Sequence, residues 1–246
     1  MWFGYHPAIV REFPEIAAAV IWVDSFDNIA EHPEIENQLV HAESMVRERC
    51  AERADIARQD PIAAWREAYS RMGLKPNRYP CATEQLMRRV VDGNPMPRIS
   101  ALVDLGNAAA LRYMITVAPF DTARIEGYCQ VQYAAGNERF WPINGDSPDE
   151  IPEGEVIFAD ETPDVISRRW AWRQSDKGKI TPDTSQLVVV AEAMHREGGE
   201  TVREAGEFLL THLGNHLNAE ARLDILDQST PRSIRSRDQG SDSCGK

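Results

Sequence analysis

Before Met114 the apolar residues recur at helical spacing, and after it they fall into short runs separated by turn residues. That change of period argues against a regularly interleaved βαβ chain. It points instead to an α+β fold in which helices from the first half pack on a mixed sheet built by the second. Helical patterns cover residues 33–58, 61–72, 83–91 and 100–113, the first two opening on Pro and the last on Ser100 as N-cap. Strands are expected over 114–117, 128–133, 139–142, 155–160, 165–174 and 187–191, with a late helix over 201–213. The apolar run from Ile16 to Val23, short and partly β-branched, is expected to be a buried strand ahead of the helices. Residues 1–228 read as one domain, and the polar, aperiodic stretch 229–246 as a disordered tail.

A chain of 246 residues can bury a full apolar core without staples. Cys50, Cys81, Cys129 and Cys244 lie far apart with no C-x-x-C pair, so neither a zinc ribbon nor a secreted disulfide framework is indicated, and a reducing cytoplasm is expected. No stretch reaches the roughly 20 apolar residues of a membrane span, and no secretory leader opens the chain. The net charge of −12 argues against a broad basic surface for DNA or RNA. Charge is nevertheless segregated. Residues 141–164 hold eight acids and no Lys or Arg, whereas 168–182 hold Arg168, Arg169, Arg173, Lys177 and Lys179 against Asp176 alone. Either the two stretches neutralise each other in the fold, or the basic one forms a focused anion site on an acidic body.

Phosphate-loop, dinucleotide, serine-elbow and zincin motifs are all missing, so no cofactor and no metal is expected. His212 and His216 have metal-ligand spacing, but Gly214 between them weakens the helix this would need.

Four stretches, 100–111, 116–121, 168–174 and 180–184, place polar residues where a purely structural segment would not ask for them. Helical spacing sets Ser100, Asp104, Asn107 and Leu111 on one face of an Ala/Leu-rich segment; Asp104 and Asn107 either enter a pocket or serve the helix dipole and solvent. Strand alternation over 168–174 would set Arg168, Trp170, Trp172 and Gln174 on one face and Arg169, Ala171 and Arg173 on the other. Such a face suits stacking on a nucleotide, and equally suits a core Trp pair with Arg residues bridging to the acidic segment. Thr184 closes a turn able to cap backbone amides.

Taken in order, Val103-Asp104-Leu-Gly-Asn107, Phe120-Asp121, Ile125-Glu-Gly127, Gly136-Asn-Glu138, Ala159-Asp160 and Thr184 resemble the editing (B3/B4) domain of the bacterial phenylalanyl-tRNA synthetase β subunit. The Arg-Arg-Trp-x-Trp-Arg pattern at 168–173 is similar to that of its free-standing relatives, and the match covers about residues 60–192. The resemblance implies a trans-editing aminoacyl-tRNA deacylase, in which water attacks a mischarged ester at the tRNA 3′ end without a covalent intermediate. The alternative is a non-catalytic module of the same fold that binds tRNA or an aminoacyl ligand. On this reading Asp104 and Asn107 position ester and water, while Arg168, Arg169, Trp170, Trp172, Arg173, Gln174 and Thr184 meet substrate and tRNA. The pattern departs from the family at Ala118, where a His is usual, near Val190, where a Glu reads a tyrosine hydroxyl, and at 168–174, which replaces a Gly-rich strand. Tyrosine specificity is therefore not implied.

Overall fold

The protein is described here from a computed structural model covering residues 1–235. A strand, β1 (Trp2–Tyr5), and a short helix, α1 (Pro7–Glu12), precede the long strand β2 (Ala17–Ser25). Helices α2 (Pro33–Arg49), α3 (Arg53–Ile56), α4 (Asp60–Arg71), α5 (Ala82–Val91) and α6 (Ala101–Tyr113) follow. Next come β3 (Thr116–Asp121), β4 (Tyr128–Tyr133), β5 (Arg139–Phe140), β6 (Asp149–Glu150), β7 (Val156–Ala159), β8 (Ser167–Arg168), β9 (Arg173–Gln174) and β10 (Leu187–Ala193). Helix α7 (Gly198–Leu217), β11 (Glu220–Leu226) and β12 (Arg232–Ile234) complete the described chain. The fold is α+β.

The strands form a six-stranded sheet, β12-β1-β4-β7-β8-β9, and an antiparallel four-stranded sheet, β11-β2-β10-β3, beside a small β5-β6 ribbon. β2 and β10 are buried on both faces, which is why both read as continuous apolar runs. Register aligns Val188 with Trp22 and Phe120, Val190 with Val20 and Ala118, and Glu192 with Ala18 and Thr116. Directly paired residues share a face. This face packs with Phe3, Val131 and Phe158 of the six-stranded sheet. The opposite face, with Ala19, Ile21, Val189 and Ala191, packs against Leu102, Leu105 and Ala109 of α6 and Val202, Leu209 and Leu213 of α7.

Several sequence expectations are corrected. The single helix over 33–58 breaks at Cys50, whose backbone is extended, and the Asp55 carboxylate accepts bonds from the amides of Ala51 and Glu52 to start α3. α7 continues through Gly214 to Leu217 because its apolar stripe is anchored in the core, and packing outweighs one glycine. The proposed tail begins inside the fold: β12 pairs with β1, and Ser233 accepts a bond from the buried Trp22 indole at 2.7 Å. Residues 236–246 of that segment lie outside the described residues. Ser100 does cap α6, its Oγ accepting from the amide of Val103.

Candidate functional site

The 165–174 segment is a hairpin and not one strand. Ser167 pairs with Gln174 and Arg168 with Arg173 across a four-residue loop, 169–172. Arg169 (φ 48°) and Trp170 (φ 55°) both adopt the left-handed conformation, which costs a non-glycine residue roughly 1–2 kcal/mol. The fold compensates by bonding every loop carbonyl. Tyr69 Oη donates to Arg169 O (3.0 Å), Ser167 Oγ to Trp170 O (2.7 Å), the Ala82 amide to Ala171 O (2.7 Å) and Gln85 Nε2 to Trp172 O (3.2 Å).

Consecutive left-handed residues cancel the alternation that a strand would impose, and the two tryptophans part company. Trp170 is wholly buried, edge-on to Phe13 and Trp65. Trp172 stays half-buried at the surface, edge-on to Tyr79 at 5.3 Å. The shared Trp face expected from alternation does not exist.

Beneath the hairpin lies a cavity of about 100 Å³, lined by Thr116, Val117, Ala118 and Phe120 of β3, Phe158, the loop and Gln174, with Glu192 from β10. Glu192 is 3% exposed. Its Oε1 accepts from Tyr5 Oη (2.8 Å) and Trp170 Nε1 (2.9 Å), whereas no group of the described residues bonds Oε2. Burial pushes its carboxyl up to about 7, against the opposing pull of the two donated bonds. A carboxyl poised near neutrality inside a mostly apolar cavity is the arrangement expected of a functional group.

The sequence-derived residues separate as follows. Trp172, Arg173 and Gln174 line the cavity with Trp170. Gln174 Nε2 is spent on the carbonyls of Pro119 (3.1 Å) and Gly178 (2.9 Å). Arg168 is 5% exposed and held by Glu155 (3.0 Å) and Asp149 (3.2 Å), so it is an internal bridge to the acidic segment. Arg169 lies 3.6 Å from Glu155, and its guanidinium sits over both Tyr79 (4.3 Å) and Trp172 (4.5 Å). Lys177 pairs with Asp160 and Lys179 with Asp176. Mutual neutralisation thus absorbs most of the basic stretch. Among the described residues, Arg173 alone of its five cations has no acidic partner.

Thr184 is buried, its Oγ1 donating to Asp121 (2.7 Å) and accepting from the Thr181 amide (3.0 Å), which latches its turn to the end of β3. Asp104 and Asn107 are not cavity residues. Asp104 is buried, accepts from the Ile99 amide at 3.1 Å just before α6, and has its carboxyl raised by that burial. Asn107 is half-buried on a helix whose Leu102, Leu105 and Ala109 pack against the other face of the four-stranded sheet. The hairpin converges on the cavity with β3 and β10, and the helix that carries Asp104 and Asn107 does not line it.

Glu192, which lines the cavity, is not among the residues singled out from the sequence, although the chain carries a signal for it. Alternation along Val188-Val-Val-Ala-Glu192 sets the carboxylate on the same face as Val188 and Val190, where an unpaired charge is costly. It lies two residues along from Val190, again on the cavity side. Ala118 also lines the cavity. Among the described residues no group of three or more His, Cys, Asp or Glu could hold a metal ion, and no helix is long and apolar enough to cross a membrane. His212 Nδ1 is within hydrogen-bond distance of the Phe208 carbonyl, 2.9 Å away.

Two facing sheets with a small cavity between β3, β10 and an inserted hairpin make up this α+β domain. The chain belongs to the B3/4 domain family, whose model matches residues 64–205. Among solved structures it is similar to an N-terminal fragment of the phenylalanyl-tRNA synthetase β subunit from Pyrococcus horikoshii. Identity there is 11% and the TM-score 0.46, over 89% of this chain and 49% of that one, so the chain spans about half the fragment's length. Comparison with curated protein sequences finds no match.

Proposed function

We propose that this domain hydrolyses the ester of a mischarged aminoacyl-tRNA. The observation that carries the reading is Glu192: a buried carboxyl with one oxygen left bare in an apolar cavity that also takes in Trp172 and the unpaired Arg173. The amino-acid side chain enters the cavity and the terminal nucleotide stays outside against Trp172 and Arg173. Water adds to the ester carbonyl carbon, the bond from that carbon to the ribose oxygen breaks, and the proton passes to the ribose. An aminoacyl ester is already labile, so a ~10³–10⁴-fold acceleration needs only about 4–5.5 kcal/mol, within reach of positioned water and a few polarising groups.

The cavity also bears on the substrate. Its volume of about 100 Å³ is below the roughly 150 Å³ that encloses a benzene-sized guest, so an aromatic side chain does not fit wholly inside. Oε2 of Glu192 favours a side chain that can donate a hydrogen bond, because an occupant without a donor would leave that oxygen desolvated and unpaired.

The test is a panel of mischarged tRNAs, scored for released amino acid with the wild-type protein, Glu192→Gln and Arg173→Ala. At least one tRNA is expected to be deacylated, with Glu192→Gln changing which amino acids are accepted. If every tRNA in the panel survives micromolar protein, the hydrolytic reading is lost; retention of tRNA without hydrolysis would leave a binding module.

A further inference from the structure

The two edges of the four-stranded sheet are not alike. The outer edge of β3 is answered within the chain: the Asp121 amide bonds Gly178 O (3.2 Å), and Pro119 O accepts from Gln174 Nε2 (3.1 Å). At the opposite edge β11 bonds β2 on one side, and among the described residues no group bonds the backbone it turns outward. Seven residues long and free of Pro, it is an open template for a further strand. Its β-bulge lies between Glu220 and Ala221, which leaves the stretch from Ala221 to Leu226 in regular register.

Charges of one sign along an edge would repel a second copy, but β11 carries both signs in a definite order. Register with β2 places Arg222 beside Trp22 and Asp224 beside Val20, on the face toward the six-stranded sheet. Leu223 beside Ile21 and Ile225 beside Ala19 lie on the face toward α7, and both are half-buried. Arg222 and Asp224 pair with each other at 2.5 Å, their side chains 40% and 30% exposed.

A second β11 laid antiparallel about Leu223 meets the first in matched order. Arg222 of each strand stands opposite Asp224 of the other, Leu223 opposite Leu223, and Ala221 opposite Ile225. Opposite side chains in such a pair lie about 4.5–5.5 Å apart, within reach of ion pairing and apolar contact. The segment Ala221-Arg-Leu-Asp-Ile225 therefore complements itself in sign and in polarity. Parallel pairing in register would instead set Arg222 against Arg222 and Asp224 against Asp224.

We propose that β11 is a self-association edge, through which two copies of this chain join their four-stranded sheets into one continuous sheet about a two-fold axis at Leu223. The interface is isologous and closes at the dimer, because each copy spends the edge in forming it. β3 lies at the far edge of the sheet from β11, so the cavity beside it stays open in both copies.

Sedimentation velocity of the full chain over a concentration series tests this. Wild type is expected to show a monomer–dimer equilibrium that weakens with salt. Arg222→Asp sets acid against acid across the axis, and Asp224→Arg sets cation against cation. Each should weaken self-association roughly 10-fold or more, as two cross-strand pairs turn from attractive to repulsive. Mixing the two variants restores opposite charges at both contacts, so the mixture should dimerise where each variant alone does not. Register is read separately by disulfide trapping in a Cys244→Ser background, where Cys50, Cys81 and Cys129 are buried. Leu223→Cys should give a linked dimer on mild oxidation, since its own copy lies directly opposite, whereas Ile225→Cys, opposite Ala221, should not. A wild type that stays monomeric at its highest soluble concentration, a dimer indifferent to either charge reversal, or a mixture no more associated than its parts overturns the proposal. Should a charge reversal unfold the chain, preferential linkage of the Leu223→Cys variant over Ile225→Cys decides it.

Discussion

Replacing Glu192 by Gln keeps the shape of the side chain and an oxygen to accept from Tyr5 and Trp170, and removes only the charge. Raising a carboxyl from its ordinary 4.5 to about 7 on folding costs the ionised form about 3 kcal/mol, at 1.36 kcal/mol for each tenfold change in acidity. Below about pH 4.5 the group is neutral in both states and the cost is absent. As pH rises towards 7 the unfolded chain ionises first and draws the equilibrium to itself, and above 7 the full penalty stands. Glu192→Gln is therefore expected to match wild type near pH 4.5 and to exceed it by up to about 3 kcal/mol near pH 8.5. That is worth roughly 6–12 °C of thermal midpoint for a chain of this size. Urea titrations of both proteins at several pH values measure the difference directly, and comparing the pair cancels contributions from other titrating groups such as Asp104. A variant whose stability runs parallel to wild type from pH 4.5 to 8.5 would show that Glu192 is not a desolvated, ionising group, and the argument from its burial would fail.

The remaining expectations follow from the same contacts. Tyr5→Phe removes a donor that favours the charged form, so the Glu192 penalty should still set in near pH 4.5 but level off at a higher pH and reach a larger value, seen in the alkaline limb of the stability profile. Trp170→Ala should cost roughly 3–5 kcal/mol because the ring is wholly buried, whereas Trp172→Ala should cost about 1 kcal/mol or less; equal losses would contradict the division of the two residues by the hairpin turn. Arg168→Ala should destabilise by up to roughly 3–5 kcal/mol by removing the nearer of the two arginines that answer Glu155, leaving Arg169 at 3.6 Å, while Arg173→Ala leaves the thermal midpoint almost unchanged.

Much of the architecture was readable in the chain itself, because local chemistry decides it. The Ser100 cap, the turn residues after Met114 and the uninterrupted apolar runs of β2 and β10 each bias the backbone through groups a few residues away. The ordered family elements between Val103 and Thr184 likewise pointed to the B3/4 domain. What needed the tertiary structure was every question of which face a residue presents and who answers its charge. Alternation fails at Arg169 and Trp170 because bonds from α4, β8 and α5 hold the loop in a conformation that neither residue favours alone. Whether Asp104 or Glu192 faces the cavity is not legible in the chain, because a carboxylate's environment is set by long-range packing: one accepts from the Ile99 amide, the other is enclosed by strands remote in sequence. Local periodicity selects helix or strand, but only the packing of distant segments fixes the dielectric around a charge, and with it the chemistry that charge can perform.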